Sequence, residues 1–404
     1  MTCVVLINNR STKLVKLGDA SFRQEVENNF PEFKRVKSSY YRHYNFKISV
    51  INTIGDIPAE LKKTLTARYS NDVSDPQYNE RYLIFEQSDP PTLVVASNQD
   101  LKLLAESRHI VADGTFHYRP SEYFSQLYVI HGFVGGESMP PVYALLSDKN
   151  QQSYEWLFNL VLNNIKLLCG SHSIEEIHLD LEKAAINATK LTFPNAIVRG
   201  CLFHYAQCLN RNINYNGLKL VYEQKKRYDS AQYLPLRDWI RRLVALSVLP
   251  PELVKYAWDR CLCNQPITYD TDIDYGISKF KSYFEATWIQ PDVINLFNHF
   301  SNAGPRTNNH AEGFHRSLAD KFDHPRPKLA AFLVRFQEIH HSYQVRQRGV
   351  LRGKVNPRTG SEFYIRNDSL LAQEKLMFDR FRRNHDISPD LLITNIYSRL
   401  PSTL

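Results

Sequence analysis

The pattern of hydrophobic and polar positions changes several times along this 404-residue chain. Residues 1–99 carry the short apolar stretches VVLI, FKISVI and YLIF, which polar, turn-rich segments such as SNDVSDPQYNE separate. Short apolar runs bounded by turn residues are typical of strands. The pattern therefore predicts a small, β-leaning N-terminal domain.

Residues 100–213 mix strand and helix patterns. HIVA, SQLYVIHGFV and PPVYALLS predict three consecutive strands, and QQSYEWLFNLVLNNIKLLC has apolar residues at helical spacing. EEIHLDL, EKAAINATKLTF and NAIVRGCLF then predict strand, helix and strand. This order predicts an α/β fold, with a mixed β-sheet flanked by helices.

The remaining chain is predicted to be helical. LRDWIRRLVALSVL, PELVKYAWDRCL and GISKFKSYFEATWI read as amphipathic helices, so residues 214–303 are interpreted as an all-helical insertion. Residues 304–345 return to the core as helices, which the prolines of PRP at 325–327 break in two. Residues 346–404 form a basic C-terminal region that also contains helix.

Three acidic residues lie in settings that suit a metal centre. Asp113 in HIVADGTF and Asp180 in IHLDLEKAAINA follow apolar strand patterns, whereas Glu312 in RTNNHAEGFHRSL opens a helix. Glu182 falls on the same alternation as Asp180 and could support or replace it. Phosphodiester chemistry uses two divalent ions, and Mg²⁺ takes oxygen ligands. If the three acids converge, they predict a phosphoryl-transfer enzyme that acts on nucleic acid.

Each acid also has an ordinary structural explanation. Aspartates at strand ends often cap the following helix, which could account for Asp113 and Asp180. Asn309 and Glu312 have the spacing of a capping box, in which Asn309 would be the N-cap and Glu312 would reach back to its backbone N–H. These explanations predict carboxylates that point at backbone groups and not at each other.

Charge and composition favour a nucleic-acid partner. The formal net charge is +8 and the pI is about 9.0, which suits polyanions, although an ordinary basic surface would give the same values. The candidate DNA-binding residues are Arg306 and Arg316 beside the third acid, and Arg346, Arg348, Arg352 and Lys354 in the C-terminal region. No apolar run reaches the roughly 18 residues of a membrane span, so we expect no membrane association.

Several motifs, taken in order, resemble the catalytic domain of Mutator-like element (MULE) transposases. They are DGTF at 113–116, the strand patterns QLYVIHG and VYALL, LDLEKAAINA at 179–188, GCLFHYAQCL at 200–209 and RTNNHAEGFH at 306–315. The resemblance covers residues 100–345. It implies an RNase H-like core that an all-helical insertion interrupts before the last catalytic helix.

The resemblance implies specific roles for residues. Asp113, Asp180 and Glu312 would be the catalytic acids of a DDE motif and would bind Mg²⁺, which Mn²⁺ can replace. Supporting roles fall to Glu182, Asn309, His315 and the family's CxxH motif at Cys201 and His204. One cysteine and one histidine are half a zinc site at most, so His204 could instead contact DNA, order the site or simply pack.

The implied function is DNA transposition. The enzyme would hydrolyse phosphodiester bonds at element ends and transfer the freed 3′-OH into target DNA, as a nuclear protein and a homodimer or higher oligomer. The alternative is a transposase-derived DNA-binding or regulatory protein. A third possibility is an RNase H-like nuclease without strand transfer.

The N-terminal domain departs from the family pattern. Residues 9–22 and 33–50 resemble a FLYWCH module, but Phe46 stands where a metal-binding cysteine is expected and only His43 is nearby. We therefore expect a degenerate DNA-binding module, and no zinc is predicted.

Overall fold

The computed structural model describes residues 3–8, 11–16, 51, 53–65, 80–225, 228, 231–302, 304–322 and 324–357, and five positions between 369 and 376. The chain forms two compact units, residues 1–56 and 57–404. His43 and Phe46 of the FLYWCH-like segment lie outside the described residues.

The first unit contains an antiparallel hairpin. Strands β1 (Cys3–Asn8) and β2 (Ser11–Lys16) pair with Cys3 opposite Lys16 and Asn8 opposite Ser11. A short 3₁₀ turn covers Ile54–Asp56. The hairpin agrees with the β-leaning character predicted for this end of the chain.

The second unit is built on a mixed sheet of seven strands among its described residues. Its order is β3-β4-β7-β6-β5-β8-β9. In this spatial order, each neighbouring pair among β3, β4, β7, β6 and β5 is antiparallel, whereas β5, β8 and β9 are parallel to one another. The strands are β3 (Leu83–Ser88), β4 (Pro91–Val95), β5 (His109–Thr115), β6 (Gln126–Val134), β7 (Glu137–Leu146), β8 (Glu176–Leu179) and β9 (Ile197–Gly200). The predicted α/β class and the mixed sheet are confirmed.

Helices flank this sheet and also continue beyond it. They are α1 (Asn98–Glu106), α2 (Gln151–Cys169), α3 (Lys183–Thr192), α4 (Leu202–Tyr215), α5 (Lys219–Tyr222), α6 (Leu234–Ala245), α7 (Pro251–Ala257), α8 (Thr271–Trp288), α9 (Pro291–Phe297), α10 (Asn309–Ser317) and α11 (Leu329–Leu351). None of the described helices is long and apolar enough to cross a membrane.

Local sequence signals explain where the main helices begin and end. The Asn150 side chain accepts a hydrogen bond from the Ser153 backbone N–H (2.9 Å) and caps α2, which ends at Gly170 with a φ of 79°. Prolines 325 and 327 separate α10 from α11, because proline lacks the N–H that a helix interior needs.

The two faces of the sheet are covered by different helices. Helices α1, α2 and α3 bury one face through residues such as Leu104, Phe158 and Ile186, which pack in one core with Ile110 and Ile177. On the other face, Tyr143 contacts Phe336 of α11 and Phe314 of α10. Helices α4 to α9 contribute to a separate core that includes Trp239, Trp258, Phe280 and Phe284. The acids that suit a metal centre thus lie on a sheet whose opposite face is fully packed.

Three expectations about boundaries need correction. Strands β3 and β4 fall within the predicted N-terminal domain 1–99, yet β4 pairs with β7 in the main sheet, and the compact units divide at 56/57. The strand expected from NAIVRGCLF covers only Ile197–Gly200, since α4 begins at Leu202. Helix α11 continues to Leu351, beyond the expected limit of 345, because its last turns still pack: Val350 contacts the cluster of Leu103 and Met139.

Candidate active site

Asp113 and Asp180 lie side by side on neighbouring parallel strands. The last paired residues of the β5–β8 ladder are Ala112 and Leu179, and the residue that follows each of them is an aspartate. The Asp113 carboxylate accepts a hydrogen bond from the Gly114 N–H (2.9 Å), and Asp180 accepts one from the Glu182 N–H (3.3 Å). Because side chains alternate along a strand, both carboxylates project from the same face of the sheet.

Glu312 approaches this pair from helix α10. Within that helix, His315 lies one turn beyond Glu312 and on the same side. The His315 Nδ1 is 3.6 Å from the Asp113 Oδ2, and the Glu312 Oε1 is 3.9 Å from the His204 Nε2. Helix α10 therefore presents Glu312 and His315 together towards the strand-borne acids.

The capping-box explanation of Glu312 is wrong. The N-cap of α10 is Asn308, not Asn309, and no side chain caps it. Asn309 is the first residue of the helix and is exposed, whereas Asn308 is fully buried. Backbone hydrogen bonding explains the shift, because the Glu312 N–H donates to the Asn308 carbonyl oxygen (3.0 Å). The Glu312 carboxylate is thus available for another role.

The electrostatics of the site are those of crowded carboxylates. Burial, together with the charges of Asp180, Glu312 and Glu182, raises the pKa of Asp113 to about 8. Burial also raises the pKa of Asp180, and burial with the neighbouring Asp180 charge raises the pKa of Glu182. Since a bound cation would relieve this repulsion, the arrangement has the electrostatic character of a metal site.

Cys201 and His204 both contact the segment that carries the third acid. The buried Cys201 thiol donates to the Asn308 Oδ1 (2.9 Å) and accepts a hydrogen bond from the Asn308 N–H (3.3 Å). The Cys201 N–H donates to the Leu179 carbonyl (2.7 Å), directly before Asp180. Cys201 thus links the end of β8 to the start of α10. Burial raises the pKa of its thiol to about 11, which keeps the thiol neutral as a hydrogen-bond donor.

Sequence reasoning missed three residues around the acids. The Tyr154 hydroxyl donates to the Glu182 Oε2 (3.1 Å), and the Gln126 Nε2 donates to the Tyr154 hydroxyl oxygen (2.9 Å). The Lys149 charge lowers the pKa of both Asp180 and Glu182 against the effect of burial. Tyr154 and Gln126 come from elements that read as ordinary core, and no local motif marks Lys149.

The predicted DNA-binding residues fall in two groups. Arg316 is exposed on α10, while Arg306 is half-buried just before it. Arg346 instead forms an ion pair with the buried Glu137, at 2.5 Å and 2.9 Å. Glu137 pairs with Val134 of β6, whereas Asp113 pairs with Val129 of the same strand. These two positions on β6 are five residues apart, so Glu137 and the arginine bound to it lie about 17 Å from the acids. Arg348, Arg352 and Lys354 follow Arg346 at the end of α11.

The donor set fits the metal that the sequence predicted. Asp113, Asp180, Glu182 and Glu312 offer only carboxylate oxygens, which hard ions such as Mg²⁺ and Mn²⁺ prefer. Soft ligands are absent from these four positions, and the nearby Cys201 thiol is engaged with Asn308. No three of these four described residues have donor atoms that all lie within 4.8 Å of one another, so a bound cation would have to draw the carboxylates closer together.

Comparison with protein families gives one match. Residues 109–208 match the model of the MULE transposase domain. The matched range contains Asp113, Asp180, Glu182, Cys201 and His204, and it ends before Glu312. The search of curated proteins finds no match for this chain. The resemblance to MULE transposases is thereby confirmed over residues 109–208.

Proposed function

We propose that this protein is a DDE-type DNA transposase, because residues 109–208 match the MULE transposase domain. It would cleave phosphodiester bonds at the ends of an element and join the freed 3′-OH to target DNA. Asp113, Asp180 and Glu312 are the three catalytic acids in this proposal, and Glu182 supports them.

One observation supports the proposal: acids from separate parts of the chain, Asp113, Asp180 and Glu182 from the sheet side and Glu312 from α10, lie near enough for their charges to act on Asp113. Asp113 and Asp180 are held by adjacent strands, and the helix that bears Glu312 brings His315 to 3.6 Å from Asp113. Placing like charges together costs free energy without a cation. A protein that only binds DNA has no use for such a cluster, since uncompensated carboxylates repel phosphates.

The sheet supports an RNase H-like interpretation of the fold. Strands β5, β6 and β7 form an antiparallel meander, and β8 and β9 add in parallel on the other side of β5. Helices α4 to α9 contribute to a separate hydrophobic core between β9 and α10. We interpret residues 214–303 of this region as the insertion that separates the second acid from the third.

Each site residue has a task in the proposed reaction. When bound, two Mg²⁺ ions would activate the attacking oxygen and stabilise the leaving oxygen. Asp113, Asp180 and Glu312 would hold the ions. Tyr154 orients Glu182 through their hydrogen bond. His204 and His315, both largely buried beside the acids, limit how the Glu312 and Asp113 carboxylates can turn.

The surroundings of the acids suit the backbone of DNA. Lys149 and Arg316 are exposed near the site and would contact phosphates. Phe116, 44% exposed, follows the DGT segment and has the Lys149 ammonium 3.3 Å from its ring centre. An exposed ring beside a cation can stack on a base. We further propose a nuclear location and a homodimeric or larger active complex, by analogy with the family alone.

A plasmid-nicking assay tests the proposed chemistry. Full-length protein is incubated with supercoiled DNA and Mg²⁺ or Mn²⁺, alongside Asp113→Asn, Asp180→Asn and Glu312→Gln. We expect each substitution to reduce nicking by at least about 1,000-fold, because each removes a ligand of the metal pair. Glu122→Gln, which alters an exposed acid outside the cluster, is the matched control.

Joining of a labelled oligonucleotide 3′-end to the plasmid distinguishes a transposase from a plain nuclease. DNA binding without any metal-dependent nicking would support the regulatory alternative. Nicking that persists in one of the three acid variants would remove that residue from the catalytic set.

A further inference from the structure

A second cluster of metal-binding side chains lies on the same sheet face as the acids. His109 pairs with Glu176 across the β5–β8 ladder, and His178 is two residues further along β8. His109 and Glu176 begin the two strands, and Asp113 and Asp180 lie four residues further along, which corresponds to about 13 Å. His178 lies between, two residues or about 7 Å before Asp180. The two groups are therefore separate sites with different donor atoms.

The spacing of the donor atoms matches a tetrahedral metal site. The Glu176 Oε2 lies 3.5 Å from the His109 Nδ1 and 3.5 Å from the His178 Nε2. One donor atom from each residue lies within 4.8 Å of the others. Ligand atoms about 2.0–2.2 Å from a tetrahedral Zn²⁺ stand roughly 3.4 Å apart. An ion can therefore fit among the three side chains with little movement.

Unpaired buried nitrogens are the second, independent observation. The His178 side chain is only 1% exposed, and its Nδ1 has no hydrogen-bond partner within the described part of the chain. The His178 Nε2 and the buried His109 Nδ1 have only the Glu176 Oε2 as a partner there, at a long 3.5 Å. Leaving a buried polar atom unsatisfied costs free energy, and a ligand between the rings would remove part of that cost.

Arg199 fixes the carboxylate of this cluster. Its guanidinium donates to both Glu176 oxygens at 3.3 Å, to the Asn298 carbonyl at 2.6 Å and to the Ser301 hydroxyl at 2.8 Å. The guanidinium also opposes an added cation, so the imidazole nitrogens must supply most of the affinity. A donor set of two nitrogens and one oxygen favours Zn²⁺ over Mg²⁺.

The segment before α10 closes this cluster from outside. A Cβ on Gly304 would lie 2.6 Å from the His109 Nδ1, so the backbone can cover the imidazole only with glycine at this position. An ion bound to the cluster would therefore lie beneath the segment that leads to Glu312.

We propose that His109, Glu176 and His178 bind one Zn²⁺ ion, with water as a fourth ligand. The ion ties together the first residues of two central strands beneath the segment that leads to α10. Its role is structural, since His109 and Glu176 lie about 13 Å from the acids along the strands and His178 joins the ion to the middle of β8. We expect weaker binding than in a four-ligand structural zinc site, because Arg199 is adjacent.

Metal binding to the full-length protein tests this proposal. Protein stripped of metal is titrated with Zn²⁺ by calorimetry and with Co²⁺ by visible absorption, which reports tetrahedral coordination directly. With excess Mg²⁺ present to occupy the acids, we expect one equivalent per chain, and at least a tenfold loss of affinity in His178→Gln and His109→Gln. His172→Gln, which alters an exposed histidine in the loop before β8, should leave the affinity unchanged.

The controls make the result decisive. His109 is partly exposed, so His109→Gln should fold even if the buried His178→Gln does not. No tetrahedral Co²⁺ spectrum with the wild-type protein would overturn the proposal. Zn²⁺ binding that survives His109→Gln, or that disappears in Asp113→Asn, would also overturn it and assign the ion elsewhere.

Discussion

Replacing Cys201 with alanine should disconnect the third acid from the sheet. The thiol makes two hydrogen bonds to Asn308, a residue with no solvent exposure. Cys201→Ala leaves the Asn308 N–H and Oδ1 without partners and creates a small cavity. Each unsatisfied buried group costs about 1–3 kcal/mol, and thiol hydrogen bonds lie at the weak end. We therefore expect a loss of about 2–4 kcal/mol in the free energy of unfolding.

The effect on catalysis follows from the position of Asn308. The Glu312 N–H donates to the Asn308 carbonyl oxygen, so a shift of Asn308 moves the first turn of α10. A displacement of about 1 Å at a reacting group can cost roughly 100-fold in rate. We expect Cys201→Ala to reduce Mn²⁺-dependent nicking by about 10- to 100-fold at saturating DNA. Cys201→Ser can still donate and accept, so it should retain most of the activity.

Urea denaturation and the nicking assay, run on the same preparations, check both expectations. Cys208→Ala makes the same chemical change seven residues later, within α4, at a half-buried position away from Asn308, and serves as control. Cys201→Ala with wild-type stability and nicking would refute the reasoning. If Cys201→Ser were as impaired as Cys201→Ala, the sulfur itself would be required, and a metal-ligand role would replace the hydrogen-bonding role.

Three further predictions address charge. In EDTA, the unfolding free energy should fall as pH rises from about 4 to 8, because the pKa of Asp113 is about 8 in the folded protein and about 3.9 in the unfolded chain. Urea denaturation at a series of pH values should show that Asp113→Asn removes most of this loss. Lys149→Ala should tighten Mn²⁺ binding severalfold in calorimetry yet weaken DNA binding, since the lysine repels cations and attracts phosphates. Arg346→Ala should cost about 2 kcal/mol in urea denaturation because it removes the ion pair with the buried Glu137, whereas Arg352→Ala should spare stability and weaken DNA binding with a smaller salt dependence.

Much of the sheet could be predicted because its strands carry local signals. The alternation in EEIHLDL put His178 and Asp180 on one face, and the ladder between β5 and β8 agrees with it. The strand pattern before Asp113 likewise predicted β5. Neither pattern could show that Asp113 and Asp180 would be neighbours, since the pairing of strands depends on contacts far apart in sequence.

Contacts between distant segments explain what the sequence could not predict. YLIF reads as an independent strand, and only its pairing with β4, which in turn pairs with β7, shows that it belongs to the main sheet. Arg346 resembled its basic neighbours in sequence, but the structure pairs it with Glu137, 209 residues away. The capping-box spacing at Asn309 suggested a local role for Glu312. In the structure the Glu312 N–H donates to the Asn308 carbonyl oxygen, so the helix begins at Asn309 and Glu312 does not cap it.

The third acid reaches the site by a different route from the first two. Adjacent strands set Asp113 and Asp180 through one ladder, so their separation depends only on the sheet. Glu312 depends on the segment that joins α9 to α10. That segment is held at its start by Arg199, which donates to the Asn298 carbonyl oxygen.

The end of this segment next to α10 is held by Cys201 and Leu202, which follow Arg199 closely in sequence. The Leu202 N–H donates to the Arg306 carbonyl oxygen (2.9 Å), and Cys201 holds Asn308. Strand β9 and the first residues of α4 therefore fix both ends of the connection to α10. Damage there displaces Glu312 and leaves the aspartate pair intact, because the β5–β8 ladder is independent of it. The two aspartates should then still bind one metal ion after cleavage is lost, which separates assembly of the metal pair from folding of the sheet.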